Sequence, residues 1–251
     1  MKVLLSLPLL VLVACNRSGP PETQTTVPAA PPQQTAGTTA PAETATSAPP
    51  AAPAVPQVKG PKLMPVDAAR DYPDLAAYRD TLLAAVKRRD ADAVIALVDP
   101  KIRTSFGGGG GVKALRESLK QPGNWDDLEQ LLSLGGTFQG ESRDRSFWAP
   151  YVYSAWPDAY DAFESLAVIA DGVALRETAS PDGTIIATLS YDIVTIAGGP
   201  SSKPSAFRHV KTADGRTGWV ESSKVRSPIG YRAGFMIQDG KWRMNALVAG
   251  D

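Results

Sequence analysis

The sequence predicts an α+β protein: a mainly helical domain, then a small β-barrel and a C-terminal β-hairpin, all after a disordered Pro-rich linker. Three patterns lead there. Apolar residues recur at helical spacings of three and four between Leu75 and Leu132. From Leu166 onward the texture changes to short β-like runs separated by Gly, Pro and Asp turns. Between Asn16 and Pro65 there is no aromatic residue and no apolar period, but there are 12 of the chain's 22 prolines.

Composition removes several functions before any element is placed. The 251 residues carry 26 Lys+Arg against 26 Asp+Glu, so no basic field gathers nucleic-acid phosphates, and no nucleic-acid partner is expected. One Cys and one His cannot supply a structural zinc site or an internal disulfide. A Ser-His-Asp or Cys-His mechanism would have to use His209, and no nucleophile motif accompanies it. No catalytic residue, metal or cofactor is expected.

At the start, Met1-Lys2 precedes an apolar run, Val3 to Val13, which is too short to cross a bilayer and reads as a secretory signal over 1–14. The run ends in Leu12-Val13-Ala14-Cys15, which resembles the bacterial lipoprotein box. The resemblance implies lipidation of Cys15, cleavage before it and tethering to a membrane by more than one acyl chain. Asn16, where an Asp tends to retain lipoproteins in the inner membrane, implies the periplasmic face of the outer membrane.

Residues 15–65 form the linker. With so little apolar surface to bury, the segment cannot offset its ordering entropy. It would span about 40 Å as a coil and at most about 155 Å as extended polyproline II.

Residues 66–164 are predicted to be mainly helical. Leu75, Tyr78, Leu82 and Val86 share one face of a first helix. Asp90 caps a second helix, which carries Val94, Leu97 and Val98 and is stopped by Asp99-Pro100. Lys101 to Phe106 alternates as a strand, and Gly107 to Gly111 is a flexible turn without the Gly-Lys-Ser/Thr of a phosphate loop. Further helices carry Val112, Leu115 and Leu119, then Leu128, Leu131 and Leu132 up to Gly135-Gly136. Seven aromatics follow between Phe147 and Phe163. They suit either an inter-domain wall or a sugar-binding groove.

Residues 165–226 hold the short strands: Val168-Ile169, Val173–Arg176, Ile185–Leu189, Ile193–Ile196, Phe207–Lys211 and Trp219-Val220. So many strands in about 60 residues predict a small barrel. Val173 to Arg176, Ser180-Pro181, Ile186 to Leu189, Val194 to Ile196, Val210-Lys211 and Gly215-Arg216-Thr217-Gly218-Trp219-Val220-Glu221-Ser222-Ser223-Lys224-Val225 together resemble the bacterial SH3 (Src-homology-3-like) domain. This sequence departs from that pattern at Asp192, where Gly is usual, and at Phe207, where Trp is usual. The resemblance implies binding of peptidoglycan or of a protein partner in the cell envelope. Tyr191, Asp192, Phe207, Arg176 and Trp219 are the candidate ligand-binding residues.

Residues 227–251 form a hairpin, Ala233–Gln238 and Lys241–Val248 about Asp239-Gly240, expected to return and pack on the helical part. The resulting expectation is a non-catalytic, lipid-anchored envelope binding protein. One alternative is a cell-wall glycosidase using two of Glu141, Asp144, Asp158, Asp161 and Glu164; another is an envelope scaffold.

Overall fold

The computed structural model describes residues 55–108, 110–140, 146–198 and 205–250, all within the unit Ala52–Asp251. Cys15, the signal segment, most of the linker, Glu141 and Asp144 lie outside the described residues.

Helix α1 (Pro73–Lys87) starts with Pro at a position where no amide partner is needed, and it buries Leu75, Leu82, Ala85 and Val86 along one stripe. Asp90 caps α2 (Ala91–Leu97) by accepting from the Ala93 amide at 3.0 Å. Asp99-Pro100 does more than stop that helix, because both residues belong to strand β1 (Val98–Arg103). Pro100 is tolerated there because β1 is the edge strand of its sheet, with β12 below as its neighbour. Helices α3 (Gly111–Ser118) and α4 (Pro122–Ser133), strands β2 (Thr137–Gln139) and β3 (Ser146–Ala149), and the short α5 (Tyr151–Ser154) follow. Strands β4 (Ser165–Val168), β5 (Val173–Arg176), β6 (Ile185–Leu189), β7 (Ile193–Ile196), β8 (Phe207–Lys211), β9 (Thr217–Glu221) and β10 (Val225–Arg226) come next. The chain closes with β11 (Arg232–Gln238) and β12 (Lys241–Val248).

The architecture corrects the predicted fold class in two ways. The first concerns the helical domain. The protein is mostly β, and the helices of 66–164 pack on a five-stranded sheet ordered β1-β12-β11-β3-β2. The second and middle strands, β12 and β11, come from the C-terminal hairpin, which returns to pack on the helices as expected and completes their sheet. Phe235 and Met244 of the hairpin share one buried cluster with Leu75, Leu82, Leu131 and Phe147. Helical periodicity is a local signal, whereas this sheet joins segments far apart in the chain.

The second concerns the barrel. The remaining seven strands form an open sheet ordered β10-β4-β7-β8-β9-β5-β6, not a closed small barrel. Strands β4 and β10 extend one end, while residues 56–63 cover β6 at the other. The Thr188 amide donates to the Pro56 carbonyl at 3.0 Å, and the Val58 amide donates to the Thr188 carbonyl at 2.9 Å. The Ile193 amide donates to Pro61, and the Leu63 amide to Tyr191. A strap that satisfies edge β6 takes the hydrogen bonds that closure would need.

The strap also corrects the extent of the disordered linker. Val58 and Leu63 are buried, the first in the core of the seven-stranded sheet and the second against Tyr151, Val152, Ala167 and Ile193. The last part of the 15–65 segment is therefore folded.

The second sheet is an insertion into the first. β3 and β11 are antiparallel neighbours, with Phe147 opposite Phe235 and Ala149 opposite Ala233. The chain between them builds the seven-stranded sheet. Because the insertion leaves and re-enters at adjacent strands, its ends lie close, the geometry that inserted units require.

Arg79 of α1 ties the helical layer together. Its Nη1 donates to Asp67 Oδ1 at 2.7 Å, its Nη2 donates to the Leu132 carbonyl at 3.0 Å, and its guanidinium lies 4.9 Å from the Phe147 ring centroid. Arg79→Met is expected to lower unfolding free energy by about 2 kcal/mol. That is below the usual cost of breaking a buried pair, because Asp67 keeps some solvent contact. A urea titration that finds a change under about 0.5 kcal/mol would contradict it.

Candidate functional site

Strands β7, β8 and β9 lie side by side, and alternation places Phe207 and His209 of β8 on one face. Trp219 stands directly across from His209 in the β8–β9 register. Their rings stack, with centroids 4.6 Å apart and planes inclined by 19°. A cleft of about 300 Å³ opens beside this pair, lined also by Ile196, Ser205, Phe207 and Arg208.

The cleft can hold a ligand but offers no reaction machinery among the described residues. Among the described residues His209 has no carboxylate partner to orient it. Ser205 Oγ accepts from the Phe207 amide at 3.4 Å, and the Ser205 carbonyl accepts from Ser222 Oγ at 2.6 Å, which places this serine in the local turn. Arg208 makes neither an ion pair nor a side-chain hydrogen bond among the described residues. Alternation turns the Arg208 side chain to the face opposite His209, so the chemistry this cleft offers is aromatic stacking.

The five expected ligand residues divide between two places. Phe207, though 8% exposed, and Trp219 both line the cleft. Arg176 sits opposite Trp219 in the β5–β9 register, and its Nη1 donates to the Gly183 carbonyl at 2.9 Å, so it braces the β5–β6 turn. Tyr191 and Asp192 lie instead under the strap. Asp192 is 1% exposed, accepts from Lys62 Nζ at 2.7 Å and from the Ser190 amide at 2.7 Å, and presents no open groove. Tyr191 holds φ at 58°, a left-handed conformation that costs a bulky residue about 1–2 kcal/mol.

The aromatic segment around 147–163 is divided as well. Phe147 is fully buried in the helix-on-sheet core and Tyr151 in the cluster with Leu63, while Phe163 is exposed. Asp158, Asp161 and Glu164 are exposed, and none lines the aromatic cleft. Asp161 Oδ1 accepts from the Phe163 and Glu164 amides, an ordinary turn bond. No group of three His, Cys, Asp or Glu is placed to hold a metal among the described residues. Nor is any helix among them long and apolar enough to cross a membrane.

Burial pushes the Tyr151 hydroxyl up to about 12, and neighbouring Tyr191 adds in the same direction. The folded state therefore holds that proton longer than the unfolded chain, whose tyrosines titrate near 10. The contribution is fully present below pH 10 and is lost as pH rises toward 12. Urea midpoints for wild type and Tyr151→Phe are expected to fall with different slopes between pH 10 and 12, the variant more gently. Parallel slopes would assign the alkaline sensitivity elsewhere, beginning with Tyr78, which burial also pushes up to about 12.

Sequence reading did not single out Arg208 or the strap residues Val58, Lys62 and Leu63. A lone arginine in a strand carries no motif, and the strap's composition is that of a spacer. No known family model matches the chain, and no curated protein matches it.

Proposed function

We propose that the chain is a non-catalytic, lipid-anchored binding protein of the cell envelope, whose seven-stranded sheet takes the peptide part of peptidoglycan in the Phe207–Trp219 cleft. The observation that carries this reading is the stacked His209–Trp219 pair at the open aromatic cleft with Phe207. Trp is enriched at binding hot spots because it desolvates a large flat surface while keeping a polar contact. Peptide planes and aliphatic side chains of an extended ligand suit such a floor.

Two sequence features support the location. The Leu12-Val13-Ala14-Cys15 box implies a lipid anchor at Cys15, and Asn16 favours the periplasmic face of the outer membrane. The order of residues from Val173 to Val225 resembles bacterial SH3 domains, which are common in envelope proteins. The tether between anchor and fold gives the module reach toward the wall.

The test is retention of the full-length chain, in detergent, on purified peptidoglycan. Trp219→Ala is expected to weaken retention at least tenfold, about 1.4 kcal/mol, while far-ultraviolet circular dichroism stays unchanged. Wild-type protein that washes off the wall would end this reading. If crosslinking in cells then captured one dominant protein neighbour at the same cleft, a protein segment would replace the wall peptide as ligand.

A further inference from the structure

Arg208 borders a second cleft, of about 290 Å³, which lies between the β8–β10 side of the open sheet and helix α4. Its lining includes Arg226, Ser227 and Tyr231 as well as Asp127 and Gln130 of α4. Arg226 is the unusual member, because it is 8% exposed and has no carboxylate partner among the described residues. Its Nη1 donates to Gln130 Oε1 at 2.6 Å and its Nη2 to the Tyr231 carbonyl at 2.8 Å, both neutral acceptors. Its Nε has no hydrogen-bond partner among the described residues.

A buried guanidinium held only by neutral dipoles is costly, and an anion arriving beside it recovers part of that cost. Burial alone pulls the Arg226 pKa below the ordinary arginine value, with Asp127 acting in the opposite sense. Arg208 brings a second guanidinium to the same cleft, again without an ion pair or side-chain hydrogen bond among the described residues. The Ser227 hydroxyl accepts from the Ile229 amide, which leaves its proton free to donate.

Charge selects the ligand. Two arginines face one lining carboxylate, Asp127, which is exposed and forms no ion pair with either of them among the described residues. One negative charge balances the lining, whereas a doubly charged phosphate meets added repulsion from Asp127. The planar fork of a guanidinium also matches a carboxylate. At about 290 Å³ the cleft has room for the terminal residue of a peptide and part of the residue before it.

We propose that the Arg208–Arg226 cleft is a carboxylate-binding site, which seats the free carboxyl end of a short peptide. The assignment does not depend on wall binding, since the site would remain if the aromatic cleft bound nothing.

The test is a nitrogen–proton correlation titration of the full-length chain in detergent with N-acetyl-alanine, its uncharged carboxamide, and inorganic phosphate. N-acetyl-alanine is expected to give saturable shifts at the Ser227, Gly230 and Tyr231 amides, with the carboxamide and phosphate at least tenfold weaker. Arg226→Met removes two partly buried hydrogen bonds of a buried side chain and endangers the fold, so Arg208→Met is the deciding variant. It should weaken N-acetyl-alanine about tenfold without disturbing the remaining spectrum, while Trp219→Ala leaves that affinity unchanged. Absent shifts, equal binding of the carboxamide, tighter binding of phosphate or an unchanged affinity in Arg208→Met would each overturn the proposal. Because Trp219→Ala reports on the aromatic cleft alone, loss of wall binding and loss of the carboxylate site are read separately.

Discussion

Gly136→Ala is expected to abolish soluble folding or to cost at least about 3 kcal/mol. An added Cβ at this position would fall 2.0 Å from the Trp148 carbonyl oxygen and 2.8 Å from its carbon. Both are backbone atoms of β3, so no rotamer change relieves the overlap, and the β2–β3 pairing must open. The Gly136 carbonyl also accepts from the Ala68 amide, which ties the start of the helical layer to the same spot. Gly123→Ala is the control. It lies within α4, nothing comes within 4 Å of its added Cβ, and the change is expected to stabilise by about 0.5–1 kcal/mol. Urea midpoints measured on both variants decide the matter, and equal stability of the two would refute the steric account.

Asp192→Ala should release the strap and lower stability by about 2–3 kcal/mol. The carboxylate receives both the Lys62 ammonium and the Ser190 amide at 2.7 Å and is itself shielded from water. Truncation leaves the Ser190 amide without its acceptor in a buried place. Lys62 retains a third of its side-chain exposure and rehydrates, which holds the cost below that of a fully buried pair. Asp192→Asn keeps an acceptor for Ser190 but loses the charge, so it should fall between wild type and alanine. Trypsin gives an independent reading: cleavage after Lys59 and Lys62 should accelerate in Asp192→Ala relative to wild type. A strap that stays protected in the variant would show that the backbone bonds at Pro56, Val58, Pro61 and Leu63 hold it unaided.

This strap shows why a spacer was read where a folded segment exists. Residues 56–63 are Pro-Gln-Val-Lys-Gly-Pro-Lys-Leu, with two isolated apolar side chains and no period. Nothing local distinguishes them from the Pro-rich stretch before them. Their order comes from an exposed strand edge more than a hundred residues later in the chain. Asp192 is a candidate for the ligand groove on the resemblance, and the strap turns that position into a buried anchor.

The aromatic cleft was half legible. Trp219 and Phe207 stood out through the resemblance, and both reach the cleft. The stacking of His209 on Trp219 follows from the β8–β9 register, which sequence alone does not state. Arg208 and Arg226 carry chemistry only because separate turns of the chain bring them to one cleft.

The sequence by itself determined the local elements: β5, β6, β7 and β8 run over the residues their alternation and flanking turns indicate, and the hairpin pairs Phe235 with Met244 and Ile237 with Trp242 as its Asp239-Gly240 turn requires. Tertiary structure decided which strands became neighbours. Periodicity and turn chemistry act over a few residues, whereas a sheet edge is satisfied by whichever segment can reach it and bury its apolar side chains. Here the hairpin completes the first sheet, and the end of the linker covers the edge that a closed barrel would have used.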